Sequence, residues 1–206
     1  MSSPSTVTRQ GNFRCLEYHP AHTPSAAVIW LHGIGERGSD ISLVAKYGLP
    51  AELSKGSLLT NARVVCPQLE ADGEWPAARL LALLSEIQSE VGPTMLVGYS
   101  LGGLGVCEFL RLCGPVAAAY VAIAGRPREH VSGNMAGARF LALSGELDPR
   151  PGMQEYVRSV NAGGGSAVEV ILPKQGHYIP EVALRNPSFL DLAASAGVRF
   201  EFRKEP

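Results

Sequence analysis

The sequence predicts one α/β domain built on a mostly parallel sheet with helices on both faces. Three observations predict it. Short, near-continuous apolar runs alternate with segments of helical periodicity, and strands buried on both faces produce such runs. The 206 residues carry 46% hydrophobic and 18% charged side chains, a balance that suits a single domain with a sizeable core. Four of the apolar runs end in residues with chemistry to offer, at the edge where open α/β sheets bind ligands.

Residues 1–24 divide into a polar tail, Met1 to Gln10, and a first strand around Phe13 to Tyr18; residues 25–206 form the single domain. Ala26 to Leu31 is a continuous apolar strand that stops at His32-Gly33-Ile34-Gly35. A helix follows within Ser42 to Ser54, then a strand from Ala62 to Cys66 closed by Pro67. Pro76 suits a first helical turn, and Leu80, Leu81, Leu83, Leu84, Ile87 and Val91 follow at the spacing of a buried helical face. Gly92-Pro93 ends that helix.

Thr94 to Val97 leads as a strand into Gly98-Tyr99-Ser100-Leu101-Gly102, and a helix runs on to about Cys113. Val116 to Ala124 and Arg139 to Ser144 are strands, the second ending in Gly145-Glu146-Leu147-Asp148. Pro149 to Asn161 suits a helix stopped by three glycines, Val168 to Leu172 a strand, and Pro187 to Ala196 a last helix. Val198 to Phe202 alternates like a short strand, but nothing in the sequence assigns it a partner.

The net charge is −1 and no basic stripe occurs, which argues against nucleic acid or an anionic membrane as the main partner. No apolar run reaches the ~18 residues that span a bilayer. The N-terminus has neither the basic nor the apolar region of a signal peptide. Cys15, Cys66, Cys107 and Cys113 lack metal-type spacing and are expected to be free thiols, so the expected location is cytoplasmic. Nothing in the sequence sets an oligomeric state.

The G-x-S-x-G run is a weak signal alone, and its position between strand and helix gives it meaning. There the turn projects the Ser100 hydroxyl from the sheet edge as a nucleophile. A free hydroxyl needs a base. Of five histidines, His177 follows a late strand, whereas His19 and His22 stand in a Pro-rich stretch and His130 in a polar loop. The base needs a carboxylate to orient it. Asp148 gives the order Ser, Asp, His, and its competitor is Glu146. The alternative use of Asp148 is to cap a helix ahead of Pro149. His32 is expected to rigidify its loop, so that the N–H groups of Ile34 and Leu101 face a developing oxyanion.

Together, Leu31 to Gly38, Gly98 to Gly103, Asp148 and Gly176-His177 resemble the α/β-hydrolases. Within them the chain is similar to the phospholipase/carboxylesterase group, which includes acyl-protein thioesterases and small bacterial esterases labelled as predicted peptidases. The resemblance covers about residues 26 to 196. It implies an α/β-hydrolase fold and hydrolysis of small carboxylic or thiol esters through an acyl-enzyme, with Ser100, Asp148 and His177 as the triad. It implies no metal and no cofactor. Leu101 stands where thioesterase-like members usually carry Gln, and Ser100 departs from the cysteine of dienelactone hydrolases. The short chain implies little or no lid.

Glu36, Arg37, Trp75 and Tyr178 are candidates to line the pocket. The alternatives are a salt bridge of Arg37 with Glu36 or Asp40, and a helix-packing role for Trp75. Peptidase or acyltransferase chemistry, and a binding protein on the same scaffold, are the competing functions.

Overall fold

The computed structural model describes residues 4–149 and 152–203. Eight strands form one sheet: β1 (Ser5–Arg9), β2 (Phe13–Tyr18), β3 (Ala27–Leu31), β5 (Arg63–Gln68), β6 (Thr94–Tyr99), β7 (Ala119–Ile123), β8 (Arg139–Gly145) and β9 (Ser166–Leu172). Their spatial order is β1-β2-β5-β3-β6-β7-β8-β9. From β5 to β9 every pairing is parallel, and β2 runs antiparallel to both of its neighbours. Two short strands, β4 (Leu58–Thr60) and β10 (Phe200–Phe202), pair antiparallel beside it.

Each central strand sends alternate side chains to opposite faces, which is why its sequence is apolar throughout. Ala27, Ile29 and Leu31 enter one core, under α2 (Ala77–Val91), α3 (Leu101–Cys113) and α4 (Gln154–Ala162). Val28 and Trp30 enter the other, under α1 (Gly48–Lys55), α5 (Pro180–Leu184) and α6 (Pro187–Ser195). Leu83, Ile87, Phe109 and Phe189 are fully buried, each contributing about 2 kcal/mol by leaving water.

Four sequence expectations shift. Ser5 to Arg9 is no polar tail: it pairs with β2 as an edge strand, Val7 opposite Cys15; residues 1–3 lie outside the described residues. Leu81 faces solvent, because helix α2 buries Leu80, Leu83, Leu84 and Ile87, with Val91 packed partly buried against the same core. Pro67 does not close β5, since pairing with β3 has already ended at Val65 and its missing N–H leaves no β3 bond unmade. Helix α4 starts at Gln154, not near Pro149, with Met153 at its N-cap. Asp148 is therefore not its cap.

The unassigned tail has a place. Phe200 to Phe202 pairs with Leu58 to Thr60, and the Phe200 ring stacks on Phe189 of α6 at 5.4 Å. All four cysteines are free thiols, three of them buried and Cys113 half-buried. Among the described residues no helix is long and apolar enough to cross a membrane.

Candidate active site

Strand β6 passes into α3 through a single residue held outside the ordinary backbone regions. Ser100 has φ 54° and ψ −110°, a conformation that costs about 1–3 kcal/mol in a side-chain-bearing residue. Its N–H donates to the Ile123 carbonyl of β7 at 2.8 Å, which fixes the turn. The flanking glycines permit it sterically. A Cβ on Gly98 would stand 2.2 Å from the Gly102 carbonyl oxygen, and one on Gly102 would stand 1.9 Å from that of Leu31. Substitution at either position collides with backbone that cannot step aside.

The turn delivers the Ser100 hydroxyl to His177, Oγ lying 2.9 Å from Nε2. The other ring nitrogen, Nδ1, lies 2.7 Å from Asp148 Oδ2. A carboxylate only accepts, so Nδ1 carries the proton and Nε2 presents its lone pair to the serine O–H. The loops bearing Asp148 and His177 are themselves bound together. Leu147 N–H donates to the Gln175 carbonyl at 2.7 Å, and a Cβ on Gly145 would stand 2.1 Å from the Gly176 carbonyl. Glu146, the competing carboxylate, is exposed and accepts instead from Lys174 N–H at 2.7 Å.

Opposite the histidine, the loop after β3 is held by buried polar groups. His32 is fully buried. Leu69 N–H donates to its Nε2 at 3.0 Å, so Nδ1 bears the proton and donates to the Gly33 carbonyl at 2.6 Å. Burial lowers its pKa to about 4, keeping the ring neutral. Glu36, also buried, accepts from Gly33 N–H at 2.8 Å, and burial raises its carboxyl pKa. Ile34 opens the 3₁₀ turn of this loop. Across from it Leu101 opens α3, where first-turn N–H groups have no acceptor within the helix.

These pieces surround a cleft of about 460 Å³. Tyr47, Tyr99 and Tyr178 form its aromatic side, ring centroids lying 6.3 Å apart for Tyr47 and Tyr99 and 6.2 Å for Tyr47 and Tyr178. Residues 124–138, between β7 and β8, contain no helix or strand that would cover it.

No family model and no curated protein matches this sequence. Solved structures do match. A protein from Thermus thermophilus named TT1662 superimposes with a TM-score of 0.70 at 16% identity, over 95% of this chain and 99% of that one. A thermostable esterase gives 0.64 at 16% identity over 92% of this chain, which spans only 61% of that longer protein. A phospholipase/carboxylesterase from Dyadobacter fermentans gives 0.58 at 18% identity, over 94% and 96% of the two chains. The fold is the α/β-hydrolase fold.

In this α/β-hydrolase fold Ser100, Asp148 and His177 follow β6, β8 and β9 respectively, all at the carboxyl ends of parallel strands. The structure brings these three together, with Ile34, Leu101, Glu36 and Tyr178 along the same cleft. Two other expected pocket residues are elsewhere. Arg37 turns away and donates to the carbonyls of Ile34, at 3.3 Å, and Gly73, at 3.1 Å; it binds backbone, not Glu36 or Asp40. Trp75 is buried beneath the site. Its indole N–H donates to the His32 carbonyl at 3.3 Å, and its ring abuts Gly105 of α3, because that glycine leaves room for it.

The sequence also left residues unnoticed. Glu169 on β9 accepts from Ser144 Oγ and from Met153 N–H, both at 2.8 Å, and so clamps both ends of the loop that carries Asp148. Lys46 and Arg126 line the cleft as well. Arg126 was open to discovery, since it follows the β7 strand end; Lys46 lies in an irregular segment without a motif.

Proposed function

We propose that the protein is a serine esterase that hydrolyses carboxylic esters through an acyl-enzyme. The observation that carries this reading is the unbroken chain Ser100 Oγ, His177 Nε2, His177 Nδ1, Asp148 Oδ2, with separations of 2.9 and 2.7 Å. It starts at a strained serine held by backbone.

In the proposed cycle His177 Nε2 takes the Ser100 proton as Oγ bonds to the ester carbonyl carbon. The carbonyl π electrons move to oxygen, and the N–H groups of Ile34 and Leu101 stabilise the oxyanion. Asp148 stabilises the imidazolium without taking its proton. The C–O bond to the alcohol then breaks, and the imidazolium protonates the departing alkoxide. Water repeats the sequence on the acyl-enzyme and releases the acid. The buried His32 and Glu36 hold Gly33 on both sides, which supports a pre-set donor at Ile34.

Turnover of 4-nitrophenyl acetate tests the reading. Purified protein is expected to release nitrophenol with an initial burst, and Ser100→Ala to reduce turnover by about 10⁴-fold or more. Equal turnover by both proteins would end the proposal.

A further inference from the structure

The cleft carries more positive charge than ester hydrolysis requires. Lys46 follows the 3₁₀ turn Ile41–Ala45, and Arg126 follows β7, so unrelated segments bring the two cations to one cavity with Ser100. Arg126 makes no ion pair or hydrogen bond among the described residues. Other arginines nearby are engaged: Arg128 with Glu74 at 2.5 Å, and Arg111 with Glu108 at 2.7 Å. Lys46 lies 5.2 Å from the Tyr47 ring centroid and forms no ion pair among the described residues. The carboxylate on the cleft wall, Glu36, accepts from Gly33 N–H and lies within the field of Lys46, which leaves Arg126 as the cation with no carboxylate partner among the described residues. The remaining wall is largely tyrosine, with Leu101 and Leu104.

Resting on the serine-esterase reading, we propose that this cleft selects esters carrying an anionic group, a carboxylate or another oxyanion, which Arg126 binds and Lys46 attracts. An unengaged guanidinium beside a nucleophile offers a planar pair of donors that matches a carboxylate. The two cations also bias encounter toward anions, an effect that salt weakens. The charge can sit on either side of the scissile bond. An acyl-side carboxylate makes the substrate a monoester of a dicarboxylic acid; a leaving-side anion makes it an O-acylated hydroxy acid or an O-acylated hydroxyalkyl phosphate.

The test compares kcat/KM for matched pairs: phenyl hydrogen glutarate against phenyl butyrate for the acyl side, and 4-acetoxybenzoate against phenyl acetate for the leaving side. Wild-type protein is expected to prefer the anionic member of one pair by about tenfold after correction for intrinsic hydrolysis rate. That preference should shrink in 0.5 M salt. Arg126→Gln should bring the ratio close to one, and Lys46→Gln should lower it mainly through kcat/KM at low salt. Arg128→Gln removes the same charge outside the cleft and should leave the ratio intact. Ser100-dependent turnover with no anionic preference in either pair would overturn this inference and leave the esterase reading standing. A preference that Arg126→Gln and Arg128→Gln reduce equally would also overturn it, reducing the effect to net charge. Absence of any Ser100-dependent turnover would remove both.

Discussion

Two of the charged constellations in this molecule are built in opposite ways. On the antiparallel flank, Glu17 is fully buried and takes Arg9 at 2.6 Å and Arg63 at 2.6 Å, while Glu90 closes on Arg63 at 2.5 Å. Every cation there meets more than one carboxylate, and β1, β2, β5 and α2 are tied together. At the carboxyl ends of β6, β8 and β9 the charges are less tightly paired. Ser100, His177 and Asp148 form a single file, and Arg126 stands beside it with no ionic partner among the described residues. In the cross-linked cluster each cation is shared between carboxylates, and burial raises the Glu17 carboxyl pKa against the pull of Arg9. The strain at Ser100 is placed where it projects the hydroxyl into the cleft and onto His177.

The contrast can be broken at either end. The largest effect is expected from Asp148→Asn, which leaves the shape but presents the wrong tautomer of His177; ester turnover should fall by about 10⁴-fold with the melting temperature nearly unchanged. Glu17→Ala should do the reverse. Leaving Arg9 and Arg63 without their shared buried carboxylate is expected to cost about 3–5 kcal/mol in urea unfolding, with kcat per folded molecule intact.

A smaller effect belongs to His32, which burial holds at a pKa of about 4 against an ordinary 6.5. The unfolded chain takes up this proton first. The contribution of neutral His32 is therefore complete above about pH 6.5 and is lost as pH falls toward 4, amounting to roughly 3 kcal/mol. Following its ring protons by NMR checks the sign; titration near 6.5 would contradict it. The smallest effect is expected from Glu146→Gln. Its carboxylate meets only exposed backbone of Lys174 among the contacts described, so turnover should change by about twofold at most. An Asp148-sized loss there would reassign the acid.

Much of this was legible in the sequence because it depends on local rules. Buried strands have to be apolar on both faces, so β3, β6, β7 and β8 stood out. The serine turn requires glycines at fixed offsets, and those glycines are visible in any sequence. What escaped depends on partners far along the chain. β1 is polar because it is an edge strand, with only its pairing to β2 to identify it. β4 is three residues long, too short for periodicity, and β10 shows its alternation but not its partner. Trp75 left a rim position and a helix-packing role both open; only its fit against Gly105 of α3 decides for packing. Arg37 left a ligand contact and a salt bridge with Glu36 or Asp40 both open, yet its guanidinium is taken by two carbonyls that no pattern announces. Glu169 sits in mid-strand, and its clamp on Ser144 and Met153 exists only once β8, β9 and α4 are assembled.

The central claim is that the single file ending at Ser100 makes that one hydroxyl a nucleophile. Treating the folded protein with a fluorophosphonate and locating the adduct by mass spectrometry tests it most directly. The account predicts stoichiometric modification of the peptide containing Ser100, abolished in Ser100→Ala and strongly slowed in His177→Ala. Undiminished labelling of Ser100→Ala, or an adduct on another residue, would contradict it.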